Sequence, residues 1–114
     1  MIQDIDFEAI VANIAQVVIV LDPDLTIVWA NRNAAETAGQ DPEGKKCYRL
    51  YQGRDSPCRG CHTLETFRTG EMIPNKSTVT YEDGSRRRFD GFTIPVKRDD
   101  QGRVSLVAEV AGEV

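Results

Sequence analysis

The stretch VVIVLDPDLTIVWANRNAAETAG, Val17 to Gly39, says more about the fold than any other part of the chain. It opens with an unbroken run of β-formers, Val17 to Leu21, and stops at Asp22-Pro23-Asp24, a strong turn signal. Thr26 to Asn31 resumes as a short strand, so the two segments read as a hairpin. The first strand is apolar at every position and therefore on both faces, as a central, covered strand is. Asn31 is then a good N-cap, the alanines of RNAAETAG favour a short helix, and Gly39 ends it.

Working outward, Phe7, Ile10, Val11 and Ile14 recur at helical spacing and predict an amphipathic helix over about residues 6–15, capped by Asp4 or Asp6. Downstream, Lys45 to Tyr51 reads as a helical turn or two, and Arg54 to Gly60 as a polar loop with a proline. CHTLETFRTG predicts a helix with Leu64 and Phe67 on one face and Gly70 at its stop. The last third is β. KSTVTY and RRRFDGFTIPV flank Asp83-Gly84, a hairpin signal, and DDQG separates them from a final strand, RVSLVAEVAGEV. The expected class is α+β, a single five-stranded antiparallel sheet with short helices inserted after the second strand and covering one face. The other face would take its cover from the N-terminal helix or from a second copy of the chain, so a homodimer is expected.

A chain of 114 residues is one domain, large enough for a hydrophobic core without staples. The net charge of −4 speaks against nucleic-acid binding, and the short cluster Arg86-Arg87-Arg88 beside Glu82 and Asp83 reads as a solvated strand end. No apolar run approaches the roughly 20 residues that span a bilayer, so no membrane contact is expected. An odd number of cysteines argues against a secreted disulfide framework, and a cytoplasmic setting is the default expectation.

In this order and spacing the elements resemble a PAS domain, the sensor module found upstream of histidine kinases, cyclases and transcriptional activators. The resemblance rests on Asp22, Ile27 and Asn31 across the first hairpin, on Ala34, Ala35 and Gly39 after it, and on TIPVKRDDQGRV near the end. It covers nearly the whole chain, residues 1–114 read as one sensor domain. It implies a sensory or signal-relay module cut from a longer signalling protein, most often a histidine kinase, with the effector domain covalently linked. It also implies a ligand, metal or cofactor held between sheet and helices. The alternative is a dimerisation or interaction module whose cysteines are purely structural. The chain holds no catalytic constellation around its only histidine, His62, and no enzymatic activity is expected of it.

All three cysteines and that histidine fall in KKCYRLYQGRDSPCRGCHTLETF, spaced C-x10-C-x2-C-H. Some PAS domains have a similar Cys-Tyr…Pro-Cys-x-x-Cys segment, with proline where this chain has His62. Cys58 and Cys61 are spaced to grip one tetrahedral ion such as zinc, with Cys47 as a third ligand. His62 is the weakest member of this set, because on a helix it points about 100° from its neighbour Cys61. The same pair at a helix N-terminus suits a reversible disulfide. The third reading is that small, buried side chains fill the helical layer. GKKCYRLYQG is similar to the segment that carries the reactive cysteine of flavin photosensors. Lys46 in place of asparagine and a longer Cys-to-Gln spacing argue against flavin, and one histidine is thin support for haem. Trp29 and Tyr81, with Phe89 or Phe92, are the expected walls of a small-molecule pocket, against the alternative that they only fill the core.

Overall fold

The computed structural model describes residues 4–114. Asp6 caps α1 (Phe7–Asn13), its carboxylate accepting from the Ala9 amide at 2.9 Å. The helix ends before residue 15 because Ile14 takes extended backbone to lead the chain into the sheet. β1 (Val17–Leu21) and β2 (Ile27–Ala30) form the expected hairpin. Its turn is held by Asp22, whose Oδ1 accepts from the amides of Asp24 at 2.9 Å and Thr26 at 3.0 Å. Leu25 sits in that turn at φ 63° yet is 1% exposed, so burial of its side chain offsets a backbone conformation that L-residues avoid.

Asn31 closes the hairpin. Its Oδ1 accepts from the amides of Val18 at 3.1 Å and Ala34 at 3.0 Å, while its Nδ2 donates to the carbonyls of Val11 at 3.0 Å and Gln16 at 2.9 Å. One buried amide thus ties the end of α1, the start of β1 and the N-terminus of α2 (Arg32–Ala38). The short helices α3 (Cys47–Gln52) and α4 (His62–Thr69) follow, then β3 (Ile73–Thr80), β4 (Arg86–Arg98) and β5 (Val104–Glu113). The strands form one antiparallel sheet in the order β2-β1-β5-β4-β3, so β1 and β5 are central, as the all-apolar run in β1 requires.

Register decides which residues face the helices. Val17, Ile19 and Leu21 of β1 join the core with Ala111 of β5 and Phe89 of β4, so this face meets the helices. Pairing carries Glu109 onto the same face, opposite Ile19 and Thr93. Leu21, Ile27 and Val107 are fully buried, and each such side chain contributes roughly 1.5–3 kcal/mol of burial free energy. Hydroxyls fasten α4 to this face: Thr66 and Thr93 share a 2.6 Å hydrogen bond, both buried. Glycine is obligatory at position 91, where an added Cβ would fall 1.7 Å from the Val110 carbonyl oxygen of the neighbouring strand.

Two expected pocket walls lie on the other face. The β1–β2 pairing passes from Val20↔Trp29 to Leu21↔Ile27, so Val28 is an extra, bulged residue. The bulge puts Ile27 in the core and turns Trp29, partner of Val20, away from it. Phe92 pairs with Val110, which in turn pairs with Val18, and so also faces away from the helices. α1 rests on α2 and leaves Phe7 and Ile10 exposed.

Candidate functional site

The segment from Gly44 to Cys47 runs along the open edge of β2. Ile27 N donates to Lys45 O at 2.9 Å, Gly44 N to Ile27 O at 2.8 Å and Cys47 N to Leu25 O at 3.1 Å. These bonds satisfy an edge strand and fix where α3 begins. α3 then turns Cys47, Tyr48 and Tyr51 inward, and the Tyr51 hydroxyl donates to the Ala34 carbonyl at 2.9 Å. Cys61 occupies the N-cap of α4, His62 is its first residue, and the His62 carbonyl accepts from Thr93 Oγ1 at 3.3 Å.

Between these helices and the sheet lies a cavity of about 310 Å³. Its floor is Val17, Ile19, Glu109 and Ala111 of the central strands, and Phe89 of β4 closes it. One wall is α3 with Cys47, Tyr48 and Tyr51; the next is Cys58 to Thr63; the last is β3 from Asn75 to Val79. The fold therefore brings Cys47, Cys58, Cys61 and His62 to one cavity, although Cys47 is remote from the others in sequence. It does not close them into a ligand set: among the described residues no group of three or more Cys, His, Asp or Glu side chains is arranged to hold a metal ion. All three cysteines are free thiols. Of the aromatic residues expected at a pocket, Phe89 lines this cavity, whereas Trp29, Tyr81 and Phe92 do not. Tyr81 lines an adjacent, more polar groove, its hydroxyl donating to the Thr37 carbonyl at 3.1 Å.

The electrostatics are set by burial and by one acid. Glu109 stands on β5 in the middle of the sheet, and the long contacts it receives come from Thr63 Oγ1 and Asn75 Nδ2, each at 3.5 Å. Burial raises its carboxyl above the ordinary carboxylate range, and the Thr63 bond only partly offsets this. Burial also raises the Cys47 thiol strongly, helped by the negative charge of Glu109 and by Cys61 and Cys58. Cys58 is raised by burial and by Cys61, with Arg54 pulling the other way. Cys47 and Cys58 are therefore protonated at neutral pH, which makes both poor nucleophiles. The sequence reading passed over Glu109. Its signal was an acid at the inward position of an apolar alternation, Val107, Glu109, Ala111.

The comparison with known families agrees with this architecture. A family model described as the PAS fold matches residues 11–114. The chain belongs to the PAS family. Solved PAS domains share its shape at low identity. That of nitrogen regulation protein NR(II) from Vibrio parahaemolyticus superposes with a TM-score of 0.72 at 19% identity, covering 93% of this chain and 95% of that one. The PAS domain of an HTR-like protein from Haloarcula marismortui gives 0.71 at 18%, covering 95% and 88%. The VqmA dimer of Vibrio cholerae, a LuxR-type receptor, gives 0.71 at 18%, covering 97% of this chain and 52% of VqmA. This PAS chain thus spans about half the length of VqmA. No curated protein matches the chain by sequence. No helix among the described residues is long and apolar enough to cross a membrane.

Proposed function

We propose that this PAS domain is the ligand-responsive module of a signalling protein. It takes a small molecule into the cavity between the sheet and α3–α4 and passes the change along β5 to a covalently linked effector, a histidine kinase. The observation that carries the proposal is Glu109, a polar group on the cavity floor that is also part of a central strand. A ligand touching it acts directly on the strand that pairs with both β1 and β4. The VqmA structure described as bound to DPO supports the idea that this fold accommodates a ligand. We place the module in the cytoplasm and pair two copies through the exposed side chains of Phe7 and Ile10 on α1.

Fragment screening by two-dimensional NMR tests the cavity's role. Saturable shifts should cluster at Thr63, Asn75 and Glu109 and vanish in Ser77→Leu, which fills the cavity from an edge strand. Binding confined to other surfaces, or undisturbed by that substitution, would exclude the cavity as the input.

A second reading, metal or redox sensing, is favoured by three sulfurs lining one cavity. It requires Cys47 and Cys58 to lose protons that burial holds in place. Stoichiometric zinc lost in Cys58→Ser, or a disulfide formed under mild oxidation, would support it over ligand binding.

A further inference from the structure

The cavity contains a charge site without its partner. The ion pairs of the described residues engage Glu65, Asp99 and Glu113, and none reaches Glu109. A carboxylate offers about four lone-pair positions, and Glu109 receives one contact per oxygen, both at the limit of hydrogen bonding. Tyr51 does not help, since its hydroxyl is committed to Ala34. Glu109 is half-buried and faces the cavity, and leaving such an acid without a cation is costly, either in desolvated charge or in the proton it must take up. The apolar part of the lining is Val17, Ile19, Val79, Phe89 and Ala111.

Building on the ligand-sensing reading, we propose that the cavity selects a small organic cation, an ammonium or amidinium with an apolar body. Its N–H groups donate to Glu109 and its body lies against Phe89, Val79 and Ile19. The volume, at the small end of the roughly 300–1,000 Å³ typical of ligand pockets, suits a compact molecule. Charged and titratable groups line the cavity around Glu109 on every wall. α3 contributes Cys47, Tyr48 and Tyr51, the approach to α4 contributes Cys58, Arg59, Cys61 and His62, and β3 contributes Lys76. Arg59 and Lys76 are exposed, and neither forms an ion pair with Glu109. A metal cation fits less well, because no ligand set converges there among the described residues.

The test uses matched probes: 2-phenylethylamine as the cation, 2-phenylethanol as its neutral analogue and phenylacetate as the anion. Each is titrated into the folded domain and followed by calorimetry and two-dimensional NMR. The amine should shift Thr63, Asn75 and Glu109 saturably and bind about tenfold or more tightly than the alcohol, the gain a charge-assisted hydrogen bond provides. Phenylacetate should not bind. Glu109→Gln keeps the size, removes the charge and leaves one acceptor oxygen, and should bring the amine down to the alcohol's affinity, with the Asn31 resonances unchanged as proof of folding. Equal binding of amine and alcohol, or an amine affinity untouched by Glu109→Gln, overturns the cation preference and leaves ligand sensing standing. Saturable zinc binding that excludes the amine and is lost in Cys58→Ser overturns it in favour of a metal. Absence of shifts at these amides with all three probes also overturns it, while the fragment screen judges the sensing reading separately.

Discussion

Asn31 in the core and Glu109 on the cavity floor of this PAS domain are treated very differently. Asn31 uses both ends of its amide in four hydrogen bonds of 2.9–3.1 Å to three elements. Glu109 receives two contacts at 3.5 Å and no ion pair. Full satisfaction is what a structural node requires, because every unmade bond in the interior is a direct loss of stability. Incomplete satisfaction beside an open cavity is tolerated where another molecule supplies the missing partner. The contrast separates a residue that holds the fold from one that uses it.

Removing the node should cost most. Asn31→Ala strands the amides of Val18 and Ala34 and the carbonyls of Val11 and Gln16, and it should lower stability by about 3 kcal/mol. Urea denaturation measures it. A loss below about 0.5 kcal/mol would mean that water replaces the node freely.

Glu109→Gln should do the reverse. The native pKa of Glu109 is raised, so the folded state holds its proton more tightly than the unfolded chain does. The sign follows from linkage: stability is greatest below the unfolded-state pKa and falls as pH rises through the native one. The glutamine variant lacks this loss. It should be more stable than the parent at pH 7, and the advantage should disappear on acidification. A variant less stable than the parent at neutral pH would show that the carboxylate is already well paired.

A smaller effect reports on the same contact from its neighbour. Negative charge on Glu109 helps to keep the Cys47 thiol protonated. Cys47 should be the slow cysteine toward iodoacetamide, and Glu109→Gln should speed its alkylation severalfold without affecting Cys58 as much. Peptide mass spectrometry resolves the sites. Equal rates in both proteins would remove the electrostatic link between them.

The same contrast explains what was legible in the sequence. The N-cap half of the Asn31 node was readable because it is local: an N-cap, a turn begun by Asp22 and a helix closed by Gly39 announce themselves within the stretch from Val17 to Gly39, whereas its bonds to Val11, Gln16 and Val18 span 13 to 20 residues and carry no such signal. The segment holding Cys47, Cys58, Cys61 and His62 was readable as one place in the fold, and all four line the cavity. Which face a strand residue takes is another matter. Trp29 was turned away by a bulge at Val28 and Phe92 by the register of β4, neither of which has a short-range signature. Glu109 went unnoticed because an acid in a strand near the end of a chain reads as solvent-facing. Only the pairing with Ile19 and Thr93 puts it on the helix-covered face.

The most direct test is to follow the Glu109 side-chain carboxyl by carbon-13 NMR through a pH titration, with and without 2-phenylethylamine. The free domain should titrate above the ordinary glutamate value of 4.5, and the bound amine should move the midpoint down by stabilising the carboxylate. A midpoint at or below 4.5 in the free domain, unmoved by the amine, would contradict the claim that this acid waits for a cationic partner.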